Sequence, residues 1–183
     1  SILDKGAKQG TITTKQIQAA IDDLHSQGGG TVTVPTGKWN TGRISLKSNV
    51  NLHLMEGAEL HFSGEIEDYR PAVFTRNEGV EVMSLGACIY AYNQENIAIT
   101  GKGKLVGPPQ NSPVRKRVMN VDVIENVVPH DKPVSERLFE GYNDEFIFLP
   151  MFISPTNCKN VLIEGITLEN TPFWNIVPVY CDG

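Results

Sequence analysis

One pattern of apolar and polar positions occurs three times in the chain: an Asn followed by a short alternating run. It is seen in Asn49-Val50-Asn51-Leu52-His53-Leu54, in Asn96-Ile97-Ala98-Ile99 and in Asn160-Val161-Leu162-Ile163-Glu164-Gly165-Ile166. Each run meets a glycine, at Gly57, at Gly101 and Gly103, or at Gly165. Alternation at period two marks a strand with one buried face. The interval from Asn49 to Asn96 is close to twice that from Asn160 to Gly183, as for one and two turns of a coil. Short strands at such a period, with no helix between them, predict an all-β solenoid, a right-handed parallel β-helix in which each coil buries its apolar residues against its neighbours. Val50, Leu52, Ile97, Ile99, Val161 and Ile163 are then expected to point inward and stack. The repeated Asn suits a tight corner, because it tolerates left-handed backbone and its amide can bond to the same residue one coil away.

One segment follows a different period. Ile17, Ala20, Ile21 and Leu24 recur at helical spacing and predict an amphipathic helix over about Thr14 to Ser26, stopped by Gly28-Gly29-Gly30. Thr13 and Gln16 are expected to form a capping box at its start. A solenoid exposes the unpaired edge of its first coil, so this helix is expected to lie over that edge as a cap. Two stretches interrupt the repeats. Residues 64–84 are rich in charge, and residues 107–144 carry Pro108, Pro109, Pro113, Pro129 and Pro133. Both read as excursions that project from one face and build walls of a binding site.

Composition narrows the function classes. The chain has 183 residues, 40% hydrophobic and 20% charged, which suits a single domain with a continuous core. A net charge of −5 excludes the basic face that nucleic acid binding needs. No apolar run approaches the roughly 20 residues of a spanning helix, so no membrane partner is expected, and the first residues do not resemble a signal peptide. Cys88, Cys158 and Cys181 form no metal-ligand motif and read as buried small hydrophobes, with Cys158 and Cys181 one period apart and so candidates to stack. His25, His53, His61 and His130 show no chelating pattern, and His53 and His61 read as surface residues. No metal or other cofactor is expected, and the oligomeric state is left open.

Several phrases, in order, carry a resemblance. Gln18-Ala19-Ala20-Ile21-Asp22, Gly28-Gly29-Gly30-Thr31-Val32, Val34-Pro35-Thr36-Gly37-Lys38-Trp39-Asn40-Thr41-Gly42 and Leu46-Lys47-Ser48-Asn49 open the series. Ile89-Tyr90-Ala91-Tyr92-Asn93, Cys158-Lys159-Asn160-Val161 and Asn170-Thr171-Pro172-Phe173-Trp174-Asn175-Ile176 continue it. Together they resemble the N-terminal coils of glycoside hydrolase family 28, the pectin-degrading polygalacturonases and rhamnogalacturonan hydrolases. The resemblance implies an inverting hydrolase whose aspartates stand far enough apart to hold a water beside the anomeric carbon. It also implies a pectic polysaccharide or oligosaccharide as partner and a secreted or periplasmic location.

The family's acid phrases, Asn-Thr-Asp and Gly-Asp-Asp, and its Gly-His-Gly and Arg-Ile-Lys are absent here. Asp22-Asp23 lies on the predicted helix, Asn40-Thr41-Gly42 lacks the acid, and Arg43-Ile44-Ser45 only echoes the last phrase. No catalytic residue is therefore expected within residues 1–183. These residues read as the N-terminal part of one β-helix domain, inactive alone, with the catalytic coils expected beyond residue 183. The family's frequent His before Pro is Val177 here, and Lys104-Leu105-Val106-Gly107 replaces a Gly-Thr-Ile-Asp-Gly phrase. A rhamnose-containing pectin is thus as good a substrate as polygalacturonan.

Trp174 and Asn175 are the candidate substrate-binding residues. The alternative for Trp174 and Phe173 is packing in the solenoid, and for Asn175 a hydrogen-bonded ladder. Arg70, Arg76, Arg115 and Arg117 lie in the excursions, where they contact uronate carboxylates or serve as solvated loop charges. Glu67-Asp68 and Asp144-Glu145 are carboxylate pairs only in sequence. A β-helix polysaccharide lyase and a non-catalytic carbohydrate-binding or adhesive β-helix remain the other readings.

Overall fold

A computed structural model describes residues 1–115, 124, 126–142 and 145–183. The strands wind as successive coils. The first coil is β1 (Gly30–Val34), β2 (Gly37–Thr41) and β3 (Ile44–Ser45). In the second, β4 (Val50–Leu54) and β5 (Ala58–Phe62) are followed by a hairpin of β6 (Val73–Asn77) and β7 (Val80–Ser84), then by β8 (Ala87–Tyr92). The third holds β9 (Glu95–Gly101), β10 (Lys104–Val106) and, after the long excursion, β11 (Met151–Thr156). The fourth holds β12 (Lys159–Glu164) and β13 (Thr167–Glu169), and closes with bridges from Ile176 to Ile153 and from Val179 to Thr156. Like strands stack into three parallel sheets, β1-β4-β9-β12, β2-β5-β10-β13 and β3-β8-β11, so the chain is a right-handed parallel β-helix.

Register explains why the apolar positions recur. Val32, Leu52, Ile99 and Ile163 align in the first sheet, and Trp39, Leu60, Leu105 and Leu168 in the second. Ile44, Ile89, Ile153 and Ile176 align in the third. Leu52, Leu60 and Ile44 are fully buried, each stabilising by about 1.5–3 kcal/mol. Val50, Ile97 and Ile99 are buried as expected, whereas Val161 and Ile163 are half-buried, because most of the fourth coil has a neighbour on one side only.

The corners hold the asparagines. Asn49, Asn96 and Asn160 all have positive φ, at 65°, 53° and 54°. Their side chains form a ladder, Asn96 donating to Asn49 and Asn160 to Asn96, each at 2.9 Å. Gly183 takes the next rung, its carbonyl accepting from the Val161 amide at 2.8 Å. A second ladder was not foreseen. Asn93 and Asn157 also have positive φ, and Asn157 donates to Asn93 at 2.6 Å. At the third corner Asn170 donates to the Gly107 and Pro108 carbonyls, and a Cβ on Gly107 would lie 2.0 Å from the Asn170 carbonyl, so only glycine fits.

Helix α1 (Thr14–Ser26) buries Ile17, Ala20 and Ile21 over the first coil. Gln18 clamps it there by donating to the Ser45 carbonyl and accepting from the Ser45 amide, both at 3.0 Å. The expected capping box is absent. The Thr13 hydroxyl and amide both donate to the Asn40 carbonyl at 2.8 Å, because strand β2 is the open edge of its sheet and offers an acceptor there.

The excursions pack against each other. Within the first, β6 and β7 pair antiparallel around Glu78 and Gly79, both at positive φ, the geometry of a two-residue primed turn. The second lies along β7, with Met83 accepting from Phe139 and donating to Arg137 through the backbone. Val82, Ile124, Val128, Phe139 and Phe148 make a small separate core. Three arginines fasten these loops to the coils and to each other. Arg43 donates to the Leu85 and Pro71 carbonyls, Arg70 to that of Glu140, and Arg115 to those of Pro108, Thr171 and Asn170. Burial pushes the Arg43 guanidinium down to about 10.

Candidate functional site

The hairpin stands beside the outer surface of the third sheet. Tyr90 and Tyr92 are two residues apart on β8 and so share a face, their rings nearly parallel at 6.5 Å. The Tyr90 hydroxyl donates to the Phe74 carbonyl at 2.8 Å, and the Phe74 ring lies 5.9 Å from Tyr92. A cavity of about 480 Å³ opens here, lined by Val73, Phe74, Met83, Tyr90, Tyr92 and Ser135. Ala87, Tyr90 and Met151 form a buried cluster flanked by Val73, Phe173 and Val177, which connects this cavity to the last strand-like segment.

Trp174 and Asn175 lie on that segment. Trp174 is 57% exposed and meets Phe173 edge-on at 5.8 Å, while Phe173 packs into the cluster. The two aromatics therefore differ: Phe173 serves packing and Trp174 presents its ring to solvent. Asn175 is exposed, and its carbonyl accepts from the Ile153 amide at 3.0 Å. It sits outside both asparagine ladders. At the next corner Tyr180, at φ 55°, donates its hydroxyl to Glu81 at 2.6 Å, which holds that phenol above its ordinary range. The Arg76 guanidinium lies 5.8 Å from the Tyr180 ring centre.

The excursion arginines divide in the same way. Arg70 and Arg115 are engaged with backbone carbonyls, and Arg70 also pairs with Glu67 and stacks 3.5 Å above Tyr142. Arg76 is exposed, its Nε donating to the Gly79 carbonyl of the hairpin turn at 3.4 Å. Arg117 and Asp144 lie outside the described residues. The tyrosine pair was overlooked in the sequence, although Tyr90-Ala91-Tyr92 carries the signal, since alternate residues of a strand share a face.

Among the described residues the strands of this face carry no acid–base pair, and Glu81 at its border accepts from Tyr180. Residues 44–45, 87–92, 151–156 and 173–180, which make up the third sheet and its extension, contain neither Asp nor Glu. Glu67 and Asp68 line a different cavity, with Thr14, Lys15 and Gln16 of α1. Glu145 is exposed. His53 bonds to Thr100 at 2.8 Å on the first sheet, and His61 to Glu59 at 2.9 Å on the second. Among the described residues no three His, Cys, Asp or Glu are grouped to hold a metal ion, and no helix is long and apolar enough to cross a membrane.

No family model matches the chain. It is 26% identical over 178 residues to a probable polygalacturonase of Vitis vinifera, covering 93% of this chain and 31% of that protein. It is 35% identical over 104 residues to an exo-poly-alpha-D-galacturonosidase of Dickeya chrysanthemi, covering 53% of this chain and 17% of that protein. The crystal structure of a hyperthermoactive exopolygalacturonase from Thermotoga maritima superposes with a TM-score of 0.82 at 32% identity, over 98% of this chain and 43% of that one. The chain thus spans about a third or less of the curated relatives it matches. Over nearly all of its own length, the chain is similar to the polygalacturonases of glycoside hydrolase family 28.

Proposed function

We propose that these residues form the N-terminal, substrate-holding part of a single β-helix domain that hydrolyses glycosidic bonds in galacturonate-containing pectin. The observation that carries this reading is the aromatic cavity of Phe74, Tyr90 and Tyr92 beside strands without Asp or Glu, with Trp174 exposed on the adjoining segment, on coils similar to those of an exopolygalacturonase. An indole ring offers an apolar plane to the C–H face of a sugar, and the Asn175 amide offers a donor and an acceptor to its hydroxyls. Arg76 is placed to meet a uronate carboxylate. Inverting cleavage needs a proton donor on one side of the bond and a base holding water on the other. The described strands of this face carry no Asp or Glu, which fits a domain whose acid and base stand on other coils. Pectin is an extracellular polymer, and secreted or periplasmic action fits it.

Binding and cleavage are tested separately. Titrating the chain with oligogalacturonides and with rhamnogalacturonan oligosaccharides, followed by tryptophan fluorescence, should show saturable binding. Trp174→Ala should weaken it about tenfold, or ~1.4 kcal/mol. The chain alone should release no reducing ends. A protein joining these coils to the missing acids should release reducing ends with no ultraviolet-absorbing unsaturated sugar. Formation of the unsaturated sugar would establish a lyase, and binding without any cleavage would establish a non-catalytic module.

A further inference from the structure

The proposed function uses none of the three thiols, and the register brings two of them together. Cys158 leaves β11 at the corner leading to β12, and Cys181 occupies the same corner one coil later. The bridge from Lys159 to Asp182 and the bond from the Asp182 amide to the Cys158 carbonyl, at 3.0 Å, fix them side by side. Both side chains turn toward the core: Cys158 is 1% exposed, and Cys181 is half-buried against the same cluster. Their thiols point into one turn, Cys158 donating to the Thr156 carbonyl and Cys181 to that of Pro155, each at 3.3 Å. Cys88 is elsewhere, buried against the Tyr69 hydroxyl at 3.7 Å.

We propose that Cys158 and Cys181 are a reversible thiol–disulfide pair that closes the fourth coil into a covalent ring. That ring carries Trp174 and Asn175, but the proposal does not depend on what they bind. Paired strands lie about 4.8 Å apart, within the Cα separation a disulfide spans. Cys181 is half-buried rather than enclosed, so a small thiol can reach its sulfur and reverse the bond, which suits a switch better than a permanent staple. The oxidant is a small-molecule disulfide. The more accessible Cys181 loses its proton, and its thiolate attacks one sulfur of that disulfide, forming a mixed disulfide and releasing one small thiolate. Cys158 then loses its proton and attacks the Cys181 sulfur, displacing the second small thiolate. The net change is two protein thiols oxidised and one small disulfide reduced to two thiols.

The test treats the folded chain with oxidised glutathione, blocks remaining thiols, then unfolds and maps the peptides. Of the three cysteines, only Cys88 should then carry the blocking group, and the protein should be lighter by two hydrogens with Cys158 joined to Cys181. Dithiothreitol should restore three thiols. Cys88→Ala should give the same link, and the same oxidation in urea should scatter pairing among all three cysteines. The proposal is overturned if the folded wild-type chain retains a blockable Cys158 after oxidation, whether Cys181 carries glutathione or not. A link from either residue to Cys88 in the folded chain would overturn it equally.

Discussion

The side-chain amide of Asn160 donates to the side-chain Oδ1 of Asn96 at 2.9 Å, and Asn96 hands the same bond on to Asn49. The middle member is the only one of these three bonded on both sides, and it also holds a left-handed backbone. Asn96→Gly should remove the bonds while keeping the backbone at ease, costing about 1–2 kcal/mol. Asn96→Ala should add about 1–2 kcal/mol for the left-handed conformation. Urea titration of the two variants checks the order, and equal midpoints would show that backbone strain plays no part.

Burial predicts a gradient along the first sheet. Ile99→Ala, at a 2% exposed position, should cost about 2–5 kcal/mol. Ile163→Ala removes the same atoms from a half-buried site and should cost less. His130→Ala should change stability by under about 0.5 kcal/mol, since His130 is exposed and contributes only its carbonyl, which accepts from Arg137. Chemical denaturation of the three variants ranks them.

Cys88 gives stability a pH dependence of defined sign. Burial pushes its thiol up to about 12 from an ordinary value of 9.0. Above pH 9 the unfolded thiol ionises while the folded one stays protonated, so its contribution is complete below pH 9 and is lost as pH rises toward 12. Cys88→Ala should flatten the fall in stability across that alkaline range. A thiol reagent at pH 8 should also leave Cys88 unmodified until the chain unfolds.

Arg115 joins the long excursion to the Asn170 corner through the Pro108 and Thr171 carbonyls, both at 2.8 Å. Arg115→Ala should cost about 2–3 kcal/mol, because several carbonyls lose a charged donor together. Amide exchange should quicken around residues 107–112 and 170–172, with the β4–β9 pairing unaffected.

The repeats were legible because a solenoid uses the same local rule in every coil. Alternation set the inward residues, Asn set the corners, and the period set the register, down to Gly183 as the rung after Asn160. Helix α1 showed its limits through apolar spacing and a glycine stop. What stayed hidden depends on partners distant in the chain. Thr13 fits a capping box by composition, but the open edge of β2 competes for its hydroxyl. The hairpin β6–β7 lies in a charge-rich stretch whose apolar residues divide between partners, Val80 and Val82 packing against the second excursion and Val73 and Phe74 against β8. Trp174 and Asn175 could be singled out by type, yet only the register shows that Phe173 turns toward Tyr90 while Trp174 does not.

The bond from Tyr180 to Glu81 spans 99 positions of the chain. Neighbouring coils can form in the order in which they are made, each needing only the one before it. This contact cannot, since the hairpin must wait until the fourth coil is in place. During synthesis the aromatic face would thus acquire that border only once the fourth coil has formed. A nascent chain halted before Tyr180 would have its solenoid scaffold and lack that edge of the wall.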